Sequence, residues 1–425
     1  MSVRGNLAKK IIEHQKQVKD WLIQEAVVAE APFYSSIDLR DAGFKIVPVD
    51  NNLYPAGFNN ICSTDQRTAS HVFKQEIETL QKLHAWNPIR KIVIIPESHT
   101  TNTFYIENLY FLKTIIEEAG FEVRIGWYLE VAEPFDLTSE SGKVMKAYPT
   151  EVKNQKLSVG GFEPDLILLN NDFSSGYPKK LDGLTQPILP SHKMGWHTRR
   201  KNEHFIHYNR LAKELADILG VDAWSLQIQT EVMEHVNFDD EASLQKLAAV
   251  TEKMLREIGE AYAARKIKRK PFVFIKSNTG TYGMGIMVVH DAKEVLNMNR
   301  RTKNKMAMGK NGLTTESVVI QEGVPTTAVI DKLTAEPVIY LAGTDLIGGF
   351  LRTHTERGDE ENLNSKGMVF RKLCMTDLKN MRTLLKHEDD EPCDDDPETV
   401  LEQSYGMIAR LSALATGLEI KDHIR

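Results

Sequence analysis

The sequence predicts an α/β protein whose second half takes on α+β character. Two observations carry this. Through the first half, short apolar runs alternate with segments of helical length, the pattern of a mostly parallel sheet with helices packed on it. In the second half, Pro271 to His290 reads as a strand, a glycine-rich turn and a returning strand.

In chain order, residues 7–30 predict a helix, with Leu7, Ile11, Val18 and Leu22 recurring on one face. Phe44-Lys-Ile-Val-Pro-Val49 predicts a strand running into the polar loop 50–60. Ser63-Thr-Asp-Gln66 has capping-box spacing and opens a helix to about Ala85. Lys91-Ile-Val-Ile-Ile95 is a buried-looking strand; a helix to Ala119 follows, with Gly120 as its C′ residue. Further strands are expected at Phe121–Ile125 and Asp165–Leu169, then a helix ending near Gly220 and another across 239–268. Val318-Val-Ile-Gln-Glu-Gly-Val324 reads as a strand and turn, Glu336–Tyr340 and Leu346–Arg352 as adjacent strands, and Pro397 to Thr416 as a final helix.

The chain has 425 residues, room for two or three domains, with 41% hydrophobic and 26% charged residues. A formal net charge of −6 argues against nucleic acid as the main partner. No window is apolar for long enough to span a bilayer, and Met1 to Glu30 lacks the core of a signal peptide. Cys62, Cys374 and Cys393 are too few for a disulfide framework and suggest a reducing compartment. Together these predict a cytoplasmic protein without a membrane partner.

The glycine hairpin is the strongest chemical signal. Phe272-Val-Phe-Ile275 ends in Lys276; Ser277, Thr279, Gly280, Thr281, Gly283 and Gly285 follow, then Ile286-Met-Val-Val289. Glycines so spaced let backbone N–H groups approach a phosphate, the hydroxyls add donors, and Lys276 adds a point charge. A Rossmann fingerprint needs a helix directly after the glycines, a Walker loop needs Gly-Lys-Ser/Thr, and a kinase loop carries its lysine afterwards; none of these holds. Of the flanking basic runs, Lys303 or Lys305 is the candidate for a further phosphate contact.

Ligands of such sheets sit at the carboxyl ends of strands. The residues found there are Asp50, Asn52, Asn59, Asn60, His99, Asn102, Asn171 and Asp172, with His192, His197 and Arg199 in the polar segment 190–201. The histidines in 192–207 fit no standard zinc spacing; anion contacts suit Arg199, Arg200 and His197 better.

The order of these pieces resembles the ATP-grasp ligases, glutathione synthetase in particular. Thr279–Met287, Lys303-Asn-Lys-Met-Ala307, Ile320–Val324 and Glu361-Asn-Leu-Asn364 are similar to the proteobacterial glutamate–cysteine ligases built on that scaffold. The resemblance implies an amino-acid-binding α/β domain over 1–235 and an ATP-grasp domain pair over 236–425, with a flap subdomain at about 265–320 and a catalytic subdomain at about 321–425. It implies ATP and Mg2+ as cofactors and glutamate and cysteine as substrates, joined through an acyl phosphate; a homo-oligomer is possible. Lys276 and Arg352 would be catalytic. Lys276, Ser277, Thr279, Gly280, Thr281, Gly283, Gly285, Lys305, Gln321, Glu322 and Val324 would hold ATP. Asp50, Asn52, Asn60, Asn102, Asn171, His192, His197 and Arg199 are candidates for the amino acids.

One departure concerns the metal. Glutathione synthetase keeps its magnesium carboxylates and an asparagine near its C-terminus, but no Glu-x-Asn follows Glu419 here. Glu361, Asn364 and Glu419 remain as candidates. The rival readings are another ATP-grasp carboxylate–amine ligase, and an ATP-binding sensor without turnover.

Overall fold

The computed structural model describes residues 2–98, 101–174, 176–279, 285–307, 315–373 and 400–424. They build three sheets. The first runs Phe135–Thr138, Val144–Lys153, Glu122–Trp127, Lys91–Pro96, Leu166–Asn170, Ile188–Leu189, with Lys156–Val159 beside Val144–Lys153. Its centre is parallel, as expected. Strand periodicity splits its residues between two cores. Ile92, Ile94, Leu166 and Leu168 face the helices Ser63–Leu83 and Thr103–Glu118, while Val93, Ile95, Ile167 and Leu169 pack on Val159, Phe162 and Phe173. Gly120 closes the second helix at a φ of 97°.

A second, antiparallel sheet runs Met368–Leu373, Asp345–His354, Leu333–Ala342, Ser35–Asp41, Ile46–Asn52. With Val329–Ile330 beside Leu333–Ala342, two of its six strands come from the first 52 residues and four from beyond residue 328. Ile37, Leu39, Ile339 and Leu351 bury one face against helices Lys201–Leu219 and Met407–Ile424. Part of the other face packs on helix Ser63–Leu83 through Tyr340, Phe350 and Phe73. The expected division at residue 235 therefore fails for residues 35–52, because their backbone hydrogen bonds are completed by the C-terminal strands.

The third sheet is Thr230–Glu234, Ser317–Glu322, Val273–Ser277, Ile286–Val289, with helix Glu241–Ala264 on one side. It contains the expected hairpin, Val273–Ser277 pairing antiparallel with Ile286–Val289. Its unit begins before residue 265, since the helix 241–264 forms its core.

Among the described residues no helix is long and apolar enough to cross a membrane. Cys62 is disulfide-bonded, a single bond and not a framework; the other two cysteines lie outside the described residues.

Candidate active site

Where the third sheet faces the second, they enclose a narrow, polar cleft with a cavity volume of about 50 Å³. The hairpin contributes Phe274, Lys276 and Ser277; the second sheet contributes Asp38, Arg40, Asp50, Glu336 and Arg352; Lys201 and the loop residues Asn362 and Asn364 complete the wall. Four cations thus stand among three carboxylates.

Strand register explains this grouping. On Ser35–Asp41, Ile37 and Leu39 are buried in the core, so Asp38 and Arg40 point the other way, into the cleft. Asp38 lies directly across from Asp50, and Glu336 across from Arg352. Like charges facing across a strand pair repel, and each carboxylate is held by a cation. Arg352 donates to both oxygens of Asp38 at 3.0 and 3.2 Å and stands 3.8 Å from Glu336. Lys201 Nζ is 2.6 Å from Asp50. Arg40 is 3.4 Å from Glu336 and donates to the carbonyls of Asp359 and Glu361 at 2.8 and 2.7 Å, fixing the loop that carries Asn362 and Asn364.

The electrostatics are strained by burial. Burial, with Glu336 nearby, pushes the Asp38 carboxyl up to about 6 even though Arg352 pulls it down. Burial pushes the Lys276 ammonium down to about 8, with Asp50 acting in the opposite sense and Lys201 in the same. Burial alone would raise Asp50, but Lys201 and Lys276 outweigh it and hold the carboxyl below its ordinary value. Lys276 donates to Gln321 Oε1 at 2.5 Å and to the Val49 carbonyl at 3.2 Å. Two buried donors nearby, Gln321 Nε2 and Arg352 Nε, have no acceptor among the described residues. Each such orphan costs on the order of 1–3 kcal/mol, so the cleft carries unmet demand for an acceptor.

The structure brings Lys276, Ser277, Asp50, Asn364 and Arg352 together at this cleft. Gly280, Thr281, Gly283 and His99 lie outside the described residues. Ser277 Oγ donates to the Thr279 carbonyl and Ser277 N to the Gly285 carbonyl, and Gly285 takes a φ of 62°. Lys305 is turned to the Ile286 carbonyl at 3.1 Å. The Glu322 side chain is spent on a buried ion pair with Lys45 at 2.7 Å, which also lies over Trp224. Val324 is fully buried.

Several amino-acid candidates have structural duties instead. Asn102 caps helix Thr103–Glu118, accepting from Tyr105 N. Asn171 ties two strand ends, donating to the Pro96 carbonyl and accepting from Phe173 N. Asn60 accepts from its neighbour Asn59. Asn52 lies across from Ser36, on the strand that carries Asp50.

The proposed metal ligands are not brought together. Glu419 is buried, and Arg199 donates to both its oxygens at 2.7 and 2.8 Å, so neither residue is free for a ligand. Glu361 pairs with Arg357 at 2.5 Å and accepts from Gly358 N. Among the described residues, no three His, Cys, Asp or Glu side chains are placed to hold a metal. Sequence reasoning missed Asp38, Arg40, Lys201, Glu336 and Asn362. For the first two a signal existed, because Ile37-Asp38-Leu39-Arg40 alternates with period two.

The sequence model of the glutamate-cysteine ligase family matches residues 8–420. A solved protein of Methylobacillus flagellatus KT, provisionally assigned as a gamma-glutamylcysteine synthetase, is 34% identical; the match covers 99% of this chain and 98% of that one at a TM-score of 0.86. D-alanyl-alanine synthetase A of Vibrio cholerae is 11% identical over 76% of this chain and 81% of that one, TM-score 0.34. A glutathione synthetase-like effector of Globodera pallida is 10% identical over 87% and 82%, TM-score 0.40. Likenesses that distant decide nothing about the site. No curated protein matches the sequence.

Proposed function

This chain belongs to the glutamate–cysteine ligase family and is a carbon–nitrogen ligase, and we propose that it joins the γ-carboxylate of L-glutamate to the amine of L-cysteine at the cleft between the hairpin and the antiparallel sheet. ATP drives the step. The γ-carboxylate attacks the γ-phosphorus, ADP leaves, and an acyl phosphate forms. The amine of cysteine then attacks the acyl carbon, phosphate leaves with the C–O electron pair, and the amine proton passes to solvent. The products are γ-glutamylcysteine, ADP and phosphate. A synthesis that consumes ATP and free amino acids suits the cytoplasm.

The observation that carries this reading is the orphaned donor set. Lys276 and Arg352 line one cleft, Gln321 accepts from Lys276 behind it, and among the described residues Gln321 Nε2 and Arg352 Nε have no acceptor. Phosphoryl transfer needs fixed donors where negative charge accumulates. Lys276, with Lys201, supplies charge to the nucleotide phosphates, while Arg352 faces the acyl phosphate and the tetrahedral oxygen that follows. The cleft walls keep water from the acyl phosphate.

The family's expected magnesium also has a fit. Asp38 and Asp50 face each other across two strands, with Asn52 on the same face as Asp50. A buried carboxylate pushed up to about 6 is one that a hard cation would relieve. These three residues would hold the ion only where it takes the places that Arg352 now has on both Asp38 oxygens and Lys201 on Asp50; there it would neutralise phosphate charge. Asp50-x-Asn52 also has the carboxylate-x-asparagine spacing that does not follow Glu419.

A coupled assay for ADP release tests the proposal. ADP should form only when glutamate, cysteine and ATP are all present. ATP binding without acid-dependent ADP release would replace the ligase with a nucleotide sensor.

A further inference from the structure

Two imidazoles outside the cleft described above have an unexplained feature in common. His197 Nδ1 lies 3.0 Å from the Phe173 carbonyl, which can only accept, so that nitrogen carries the proton. Nε2 is then a bare lone pair; it is buried and has no partner among the described residues. His192 Nε2 lies 3.1 Å from the Asp182 carboxylate, leaving Nδ1 as the bare nitrogen, likewise buried and without a partner among the described residues. Burial holds both rings below the ordinary histidine value, despite the Phe173 carbonyl and Asp182, so both are neutral acceptors near pH 7. Their rings flank one aromatic side chain, with centroids 4.7 Å (His192) and 5.4 Å (His197) from that of Tyr177.

The arrangement is built rather than incidental. Gly195 lets His197 fold back over the strand end, since a Cβ there would stand 2.7 Å from the His197 ring and 2.8 Å from the Asp172 carbonyl. It is linked to the reaction cleft by a short run of chain. His197 follows Trp196, whose ring lies 4.4 Å from Lys201 Nζ, and Lys201 is the cleft lysine on Asp50. Three residues lie between His197 and Lys201, so their Cα atoms are at most about 14 Å apart.

We propose that His192 Nδ1 and His197 Nε2, with the ring of Tyr177, form the subsite that receives the thiol of the acceptor amino acid. This rests on the ligase reading above. A thiol is a weak donor on a soft, polarizable atom, suited to lone-pair acceptors beside aromatic rings. A d-block metal is the other ligand of paired imidazoles, but no third ligand is placed with them among the described residues. Both nitrogens are closed to solvent, so the thiol enters as the Tyr177 ring, only partly buried, moves aside.

The test compares L-cysteine with L-2-aminobutyrate, which has a methyl group in place of the thiol. His197→Ala and His192→Ala/His197→Ala should raise the KM for cysteine about tenfold, the scale of a lost acceptor. They should bring the cysteine-to-aminobutyrate ratio of kcat/KM toward one and leave the KM values for ATP and glutamate unchanged. His197→Gln, which restores an acceptor, should recover part of the preference and covers the case in which the alanine variant does not fold. An unchanged preference in folded variants overturns the subsite and assigns the bare nitrogens to ordered water. If the wild-type protein releases no ADP with cysteine, the ligase reading itself fails.

Discussion

Removing the charge of Glu419 should destabilise the protein without touching the cleft walls. Glu419 is buried between helices Lys201–Leu219 and Met407–Ile424, with both oxygens on Arg199 and His204 Nδ1 3.7 Å away. Burial raises its carboxyl, but Arg199 and His204 outweigh that and hold it at about 2 against an ordinary 4.5. At about 1.4 kcal/mol per pH unit, that difference is worth about 3 kcal/mol. The folded value is depressed, so this stability is present above about pH 4.5 and is lost as the pH falls toward 2. Glu419→Gln leaves the Arg199 guanidinium buried and uncompensated, for which about 3–5 kcal/mol is expected. Urea unfolding at pH 7 measures it as a lower midpoint. A second variant separates pairing from packing. Arg199→Met/Glu419→Leu removes both charges and should recover most of the loss, since apolar replacement of a buried pair is often neutral. A Glu419→Gln midpoint equal to wild type, or a double variant as weak as the single one, would refute the reasoning.

Three further outcomes concern the cleft. Arg352→Lys should lower kcat by on the order of 10²–10³ at a near-normal unfolding midpoint, whereas Arg352→Ala should also destabilise, because Asp38 loses both hydrogen bonds that offset its burial; a lysine variant with wild-type turnover would exclude the guanidinium from the chemistry. Lys276 titrates at about 8, so its charge is present below that pH and lost above it; the KM for ATP should climb from about pH 8 upward, and in Lys276→Arg the climb should disappear. Asp38 titrates at about 6 and is anionic only above that; the magnesium concentration for half-maximal ADP release should rise below pH 6, and Asp38→Asn should require more magnesium at every pH.

What could be read from the sequence follows from the range of the forces involved. The strands around 92–95 and 166–169, the glycine hairpin and the helix closed by Gly220 carry local signals, and each forms where expected. The capping of Asn102 and the strand-end tie of Asn171 were not legible, because caps and ties draw on the same polar residues as binding sites. The ion pairs of Glu322 and Arg199 were not legible either, because a sequence does not display partners 277 or 220 positions away.

The metal question turns on that same distance. Arg352 belongs to a sheet whose strands come from both ends of the chain. Strands have no memory of order, and an antiparallel edge accepts any strand whose side-chain alternation matches its faces. Ser35–Asp41 offers Ile37 and Leu39 to the core and Asp38 and Arg40 to the cleft, and it pairs with Leu333–Ala342 from the other end of the chain. Ile46–Asn52 then follows as its hairpin partner and sets Asp50 opposite Asp38. Two carboxylates near the N-terminus thus reach the same cleft as Arg352. This placement couples the two ends energetically: the helix Met407–Ile424 that holds Arg199 through Glu419 also meets the strand of Asp50, where Asn51 donates to Ser412 at 3.2 Å. A change in that helix can therefore reach the chemistry through Asp50, without any side chain of its own entering the cleft.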